Sequence, residues 1–166
     1  MVALGASGFV VGLFGTVGNV IWAVYPYPGG ARSDRLGSRN ALTLFGLVST
    51  LGFGIWLGAP GIGPLSVAGL TIHPWLWIFV GLLFAQAWKS FGLGATFAVV
   101  KQATPPSKLA AGFASTETFR RSAFLVGPVL AAVLIGLHPA FTVSFQYVLA
   151  VAVVCGAVGT VAQPVL

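Results

Sequence analysis

"GGARSDRLGSRNAL" (residues 29–42) gathers Arg32, Asp34, Arg35 and Arg39 into one short patch, in a chain with only eight basic and two acidic side chains. On either side lie runs of about twenty or more uncharged, mostly apolar residues, the length one helix needs to cross a bilayer core. The patch is therefore read as a loop between two membrane spans. Of the 166 residues, 57% are hydrophobic and 6% charged, whereas a soluble domain carries about a quarter charged residues. These numbers place the chain among integral membrane proteins, with an all-α fold, because lipid leaves no other partner for backbone polar groups in such runs.

Working outward from the patch, five apolar segments read as spans: about 2–24, 41–57, 75–100, 109–137 and 141–161. Together they make residues 1–166 a single transmembrane domain, a polytopic helix bundle with no soluble domain. Seven of the eight basic residues fall in or beside the first and third loops, the exception being Lys89. The stretch 59–74 and the turn 138–140 hold no Lys or Arg. Basic loops stay in the cytoplasm, so the N-terminus is expected outside and the C-terminus inside. The start lacks a basic n-region and a clean cleavage site, and it reads as a retained helix. The net charge of +6 does not point to nucleic acid, since the cations sit at the ends of apolar runs rather than on an amphipathic face. Cys155 lies alone in an apolar run and reads as a small buried hydrophobe. No metal-ligand spacing, phosphate loop or nucleophile–base pattern can be assembled, so neither an enzyme nor a bound cofactor is expected.

In the first segment Gly5, Gly8, Gly12, Gly15 and Gly18 recur at three- and four-residue spacing. One helix face without side chains predicts a tight helix–helix interface.

The patch itself resembles the signature loop of the major facilitator superfamily, motif A, which joins the second and third helices of each half. Gly30, Asp34, Arg35, Gly37 and Arg39 fall at the family's positions, while Arg32, Ser38 and Asn40 depart from its usual residues. The resemblance implies a conformational latch between two halves, with Gly30 and Gly37 permitting a tight turn and Asp34 stabilising a helix N-terminus. Arg35 and Arg39 would anchor at headgroups or pair with acids. The fourth segment is similar to the family's motif C in the register Ala114, Ala123, Gly127, Pro128, Ala131 and Ala132. Its Gly-Pro is intact and every other glycine is alanine, so close packing and a proline bend are implied. The two matches make the five spans resemble helices two to six of an N-terminal half, in a prokaryotic plasma (inner) membrane. The implied partners are the bilayer, a small-molecule solute, and a missing transporter half or a second copy.

Lys89 lies midway along the third segment, where a lysine costs on the order of 3 kcal/mol. Such residues usually face a cavity on a substrate path. The family's fourth helix often has a basic residue before Gly-x-Gly, as in "KSFGLGA", although the spacing here is about one residue short. Gln86 and Asn19 are candidates for the same pathway, with Trp88 and Ser90 as further neighbours. Glu117 and Arg121, four apart, read as an ion pair along one helix face. The expected function is movement of a small solute by alternating access. The alternative is a small or truncated membrane protein that transports nothing and only associates with other helices.

Overall fold

The bundle begins later than the apolar pattern suggests. In the computed structural model, which describes residues 1–62, 64–67 and 70–162, Val2–Leu4 form a single 3₁₀ turn closed by Gly5 at φ 83°. Of Ala3, Leu65, Val67, Leu70, Ser90 and Leu93 only the backbone is described. Ser7 then caps a new helix, its Oγ accepting from the Val10 N–H at 3.4 Å. That helix, α1 (Gly8–Val24), has 17 residues and spans about 26 Å, short of a hydrocarbon core of about 30 Å. The expected span 2–24 is therefore cut back, because a left-handed glycine followed by a serine cap restarts the helix inside it.

The charged patch is not a loop. Helix α2 (Pro26–Leu36) carries it almost to its end, and α3 (Ser38–Gly58) follows after Gly37 alone. Pro26 ends α1 at Tyr25, where the ring forbids continuation of the hydrogen-bond ladder, and sits at the start of α2, where a proline is tolerated. The pair α1–α2 is bent by 43°. Among the described residues four helices are each long and apolar enough to cross a membrane, or five spans if that bent pair counts as one. This is the make-up of a membrane-embedded, all-α protein.

The remaining spans fall close to the sequence reading: α4 (Pro74–Ala103), α5 (Leu109–Ile135) and α6 (Phe141–Ala162). Between α3 and α4 the chain adds a small antiparallel hairpin, β1 (Leu65–Val67) with β2 (Leu70–Ile72), pairing Ser66 with Thr71. Residues 163–166, the expected cytoplasmic end, lie outside the described residues.

Helix α3 is the centre of the packing and lies most closely on α4. A Cβ on Gly52 would collide with the Ala85 backbone, and one on Gly81 with the Trp56 indole. Two hydrogen bonds lace the seam: Ser49 Oγ donates to the Ala85 carbonyl and Trp56 Nε1 to that of Ile78, each at 2.8 Å. On the other side of α3, Gly46 faces Thr160 of α6, while Gly156 faces Thr50. Helix α2 reaches α4 through Gly29, whose Cβ would lie 2.6 Å from the Phe91 backbone, and Tyr25 stacks on the same phenylalanine at 4.2 Å. Small residues replace side chains where backbones meet, as packing within lipid requires.

The tight glycines are thus not those of the first helix. Around Gly5, Gly8, Gly12 and Gly15 an added Cβ would meet nothing within 4 Å, and Gly5 is outside α1 altogether. Helix α5 is the outlier of the bundle, with no buried residue. Cys155 is exposed, not buried: α6 turns its Gly156 and Thr160 toward α3 and leaves the cysteine on the outer face.

Candidate functional site

The polar groups that stand out in the apolar runs converge on one place. Asn19 lies on α1, and Gln86 and Lys89 lie one turn apart on α4; all three line a single cleft of about 400 Å³ between the two helices. From α1 come Phe14, Gly15, Gly18, Asn19 and Trp22. Their spacing of one, three, four and seven places them on one helix face. Gly15 and Gly18 work here by what they lack: with no side chains they open room beneath Gln86, whose Nε2 is 3.9 Å from the Cβ position of Gly18. Two glycines of the stripe, Gly15 and Gly18, thus form a wall of the cleft in place of the tight interface the spacing predicts.

Lys89 stands about 22 Å along α4 from Pro74 and about 21 Å from Ala103, at 1.5 Å per residue, so it is at the middle of the span. Lys89 and Asn19 are exposed and Gln86 is half-buried. None of the three makes a hydrogen bond or ion pair among the described residues. The opening is thus lined by available donors, with Phe14 and Leu82 as apolar walls. Trp88 does not line it and lies beside Gly92 of its own helix; the side chain of Ser90 is outside the described residues. A second cavity, of about 250 Å³, is bounded by apolar groups such as Leu4, Trp56, Ile78 and Phe145, and shares Phe14 with the first.

No protein-family model, curated protein or solved structure matches the chain.

The motif A-like residues divide by environment. Gly37 makes the break between α2 and α3 at φ 79°, ψ 144°. Gly30, expected to share that role, sits inside α2 with open space around it, and its neighbour Gly29 makes the close approach instead. Asp34, Arg35 and Arg39 are exposed and without ion-pair partners among the described residues. Asn40 donates to the Leu36 carbonyl at 3.2 Å and so satisfies one of the last acceptors of α2.

The motif C-like register lies on α5, with Pro128 inside the helix. Ala114, Ala123, Gly127, Pro128 and Ala132 are exposed and Ala131 is half-buried, so the close packing expected there is not made within this chain. At the start of the same helix Glu117 pairs with Arg121 at 2.8 Å and also with Arg120 at 2.7 Å. Arg120 is the stronger partner, giving two hydrogen bonds of 2.9 Å. The three-residue spacing, equally a neighbour on a helix, was the signal for it. Among the described residues no group of His, Cys, Asp and Glu could hold a metal ion.

Proposed function

We propose that the α1–α4 cleft is the solute path of a secondary transporter of the major facilitator type, working by alternating access. The observation that carries this reading is the convergence of Asn19, Gln86 and Lys89 from two helices on one cleft. Polar groups at membrane depth are costly and mark substrate paths, and in transporters the site lies near the midplane between repeats. In this reading the cleft meets a second half or a second copy, which closes it. The motif A-like patch latches that partner through Asp34, whose carboxylate has no ion-pair partner among the described residues of its own chain. The basic loops lie in the cytoplasm of a prokaryotic plasma membrane, as the charge bias implies.

Flux of labelled small solutes into membrane vesicles containing the protein tests the path. Lys89→Leu is expected to lower the flux about tenfold or more, the loss of one hydrogen bond to a charged group, while Lys89→Arg retains part of it. Flux equal to wild type in Lys89→Leu would remove the path assignment. A separate change, Asp34→Asn, is expected to slow transport without reducing membrane insertion, and unaltered kinetics would remove the latch.

A second reading has its own support. Gly8 and Gly12 of α1 meet nothing within 4 Å, and the apolar residues of α5 such as Phe124, Leu125 and Val129 are exposed, surfaces suited to a non-transporting protein that associates with other helices. On that reading no solute gives a flux above that of empty vesicles.

A further inference from the structure

The geometry points to a small anion as the solute that the α1–α4 cleft admits, an inference that rests on the cleft being the solute path. Among the described residues the ammonium of Lys89 is the one charge lining it. The chain has only two acidic residues, and neither balances this lysine. Asp34 lies near the end of α2, and Glu117 is held by Arg120 and Arg121 on α5. Around the lysine the polar lining is rich in donors. An ammonium offers three, the amides of Asn19 and Gln86 two each beside one acceptor oxygen, and the Trp22 indole one and no acceptor.

An unpaired cation at mid-membrane is costly, and water or an incoming negative group offsets that cost. The apolar walls, Phe14 and Leu82, lower the local dielectric and so concentrate the field of the lysine in the opening. A cation would meet that field with no carboxylate to receive it. The volume of about 400 Å³ is in the range of small-molecule sites, which suits a metabolite-sized anion such as a carboxylate or a phosphate ester.

Gly18 offers a reporter position, because its Cβ would point at Gln86 in ordinary van der Waals contact at 3.9 Å. Gly18→Cys is introduced with Cys155→Ala, since Cys155 is itself an exposed thiol. The full protein in lipid nanodiscs is treated with an anionic and, separately, a cationic methanethiosulfonate of similar size. Rates are divided by those of the same protein unfolded in detergent. The anionic reagent is expected to be favoured roughly tenfold, the lower end of focusing by a charged cleft. Lys89→Gln should abolish the preference and Lys89→Arg should keep it. Reaction with both reagents and no preference, or a preference for the cation, overturns the anion inference while leaving a water-filled path. Failure of both reagents to react means the cleft is closed to water, and then the path reading falls and the anion with it.

Discussion

At Gly52 the bundle has no room for a methyl group, because α3 and α4 touch through their backbones there, and at Gly81 the Trp56 indole fills the space. Gly52→Ala should therefore destabilise the protein by about 1–3 kcal/mol, the usual cost of forcing extra volume into a packed seam. Gly12→Ala is the control, since nothing lies within 4 Å of its added Cβ; its stability should be unchanged or slightly raised, alanine being the better helix former. Unfolding midpoints of the two variants in the same detergent check this, and equal losses would contradict the packing described. The contrast also shows what glycine spacing in a sequence can and cannot say. Gly5, Gly8, Gly12, Gly15 and Gly18 form the most regular series, yet the collisions occur at Gly29, Gly46, Gly52, Gly81, Gly112 and Gly156. Spacing identifies a face without side chains; which neighbour, if any, occupies that face depends on the rest of the bundle.

Among the elements, the α2–α3 junction turns on one residue. The φ of 79° with ψ of 144° at Gly37 belongs to a region that only glycine enters readily, and another residue there costs on the order of 1–3 kcal/mol. Gly37→Ala is expected to lose stability by that amount, whereas Gly30→Ala, inside α2 with open space around it, should lose little. Comparable unfolding midpoints for the two would place the turn elsewhere. The spans around this junction were legible because long uncharged runs leave a chain few alternatives in lipid. The helix within the charged patch was not. Glycines, serines and arginines read as a loop, but Pro26 starts a helix, Gly29 fits it against Phe91, and Asn40 caps its end. The proline start and the Asn40 bond are local signals that a loop reading passes over, while the fit of Gly29 on Phe91 is a tertiary contact with no periodicity to announce it. The cleft was half legible: Lys89, Gln86 and Asn19 stand out as polar groups in apolar runs, while the parts played by Trp22 and the glycine wall depend on how α1 faces α4.

For the molecule as a whole, Ser49 meets Ala85 and Trp56 meets Ile78, while Gly46 faces Thr160 and Thr50 faces Gly156, so α4 and α6 both run antiparallel to α3. The α3–α4 hairpin connection and the 138–140 turn thus fall at one end and the α4–α5 connection at the other. The first end is free of Lys and Arg, while the α4–α5 connection and its flanks carry Lys101, Lys108, Arg120 and Arg121. Each lysine or arginine moved across a bilayer centre costs about 3 kcal/mol, and the cytoplasmic side retains such loops. The orientation can be read with single thiols in a Cys155→Ala background. Ser66 and Ser107 are both exposed, one on the hairpin and the other between α4 and α5. In intact cells, Ser66→Cys should react with a membrane-impermeant maleimide, whereas Ser107→Cys should react only after the membrane is opened. The opposite pattern would turn the bundle over, putting the basic patch outside and any latch at the other face. Reaction of both thiols in intact cells would break the topology itself, since the single crossing of α4 between residues 66 and 107 must put them on opposite sides.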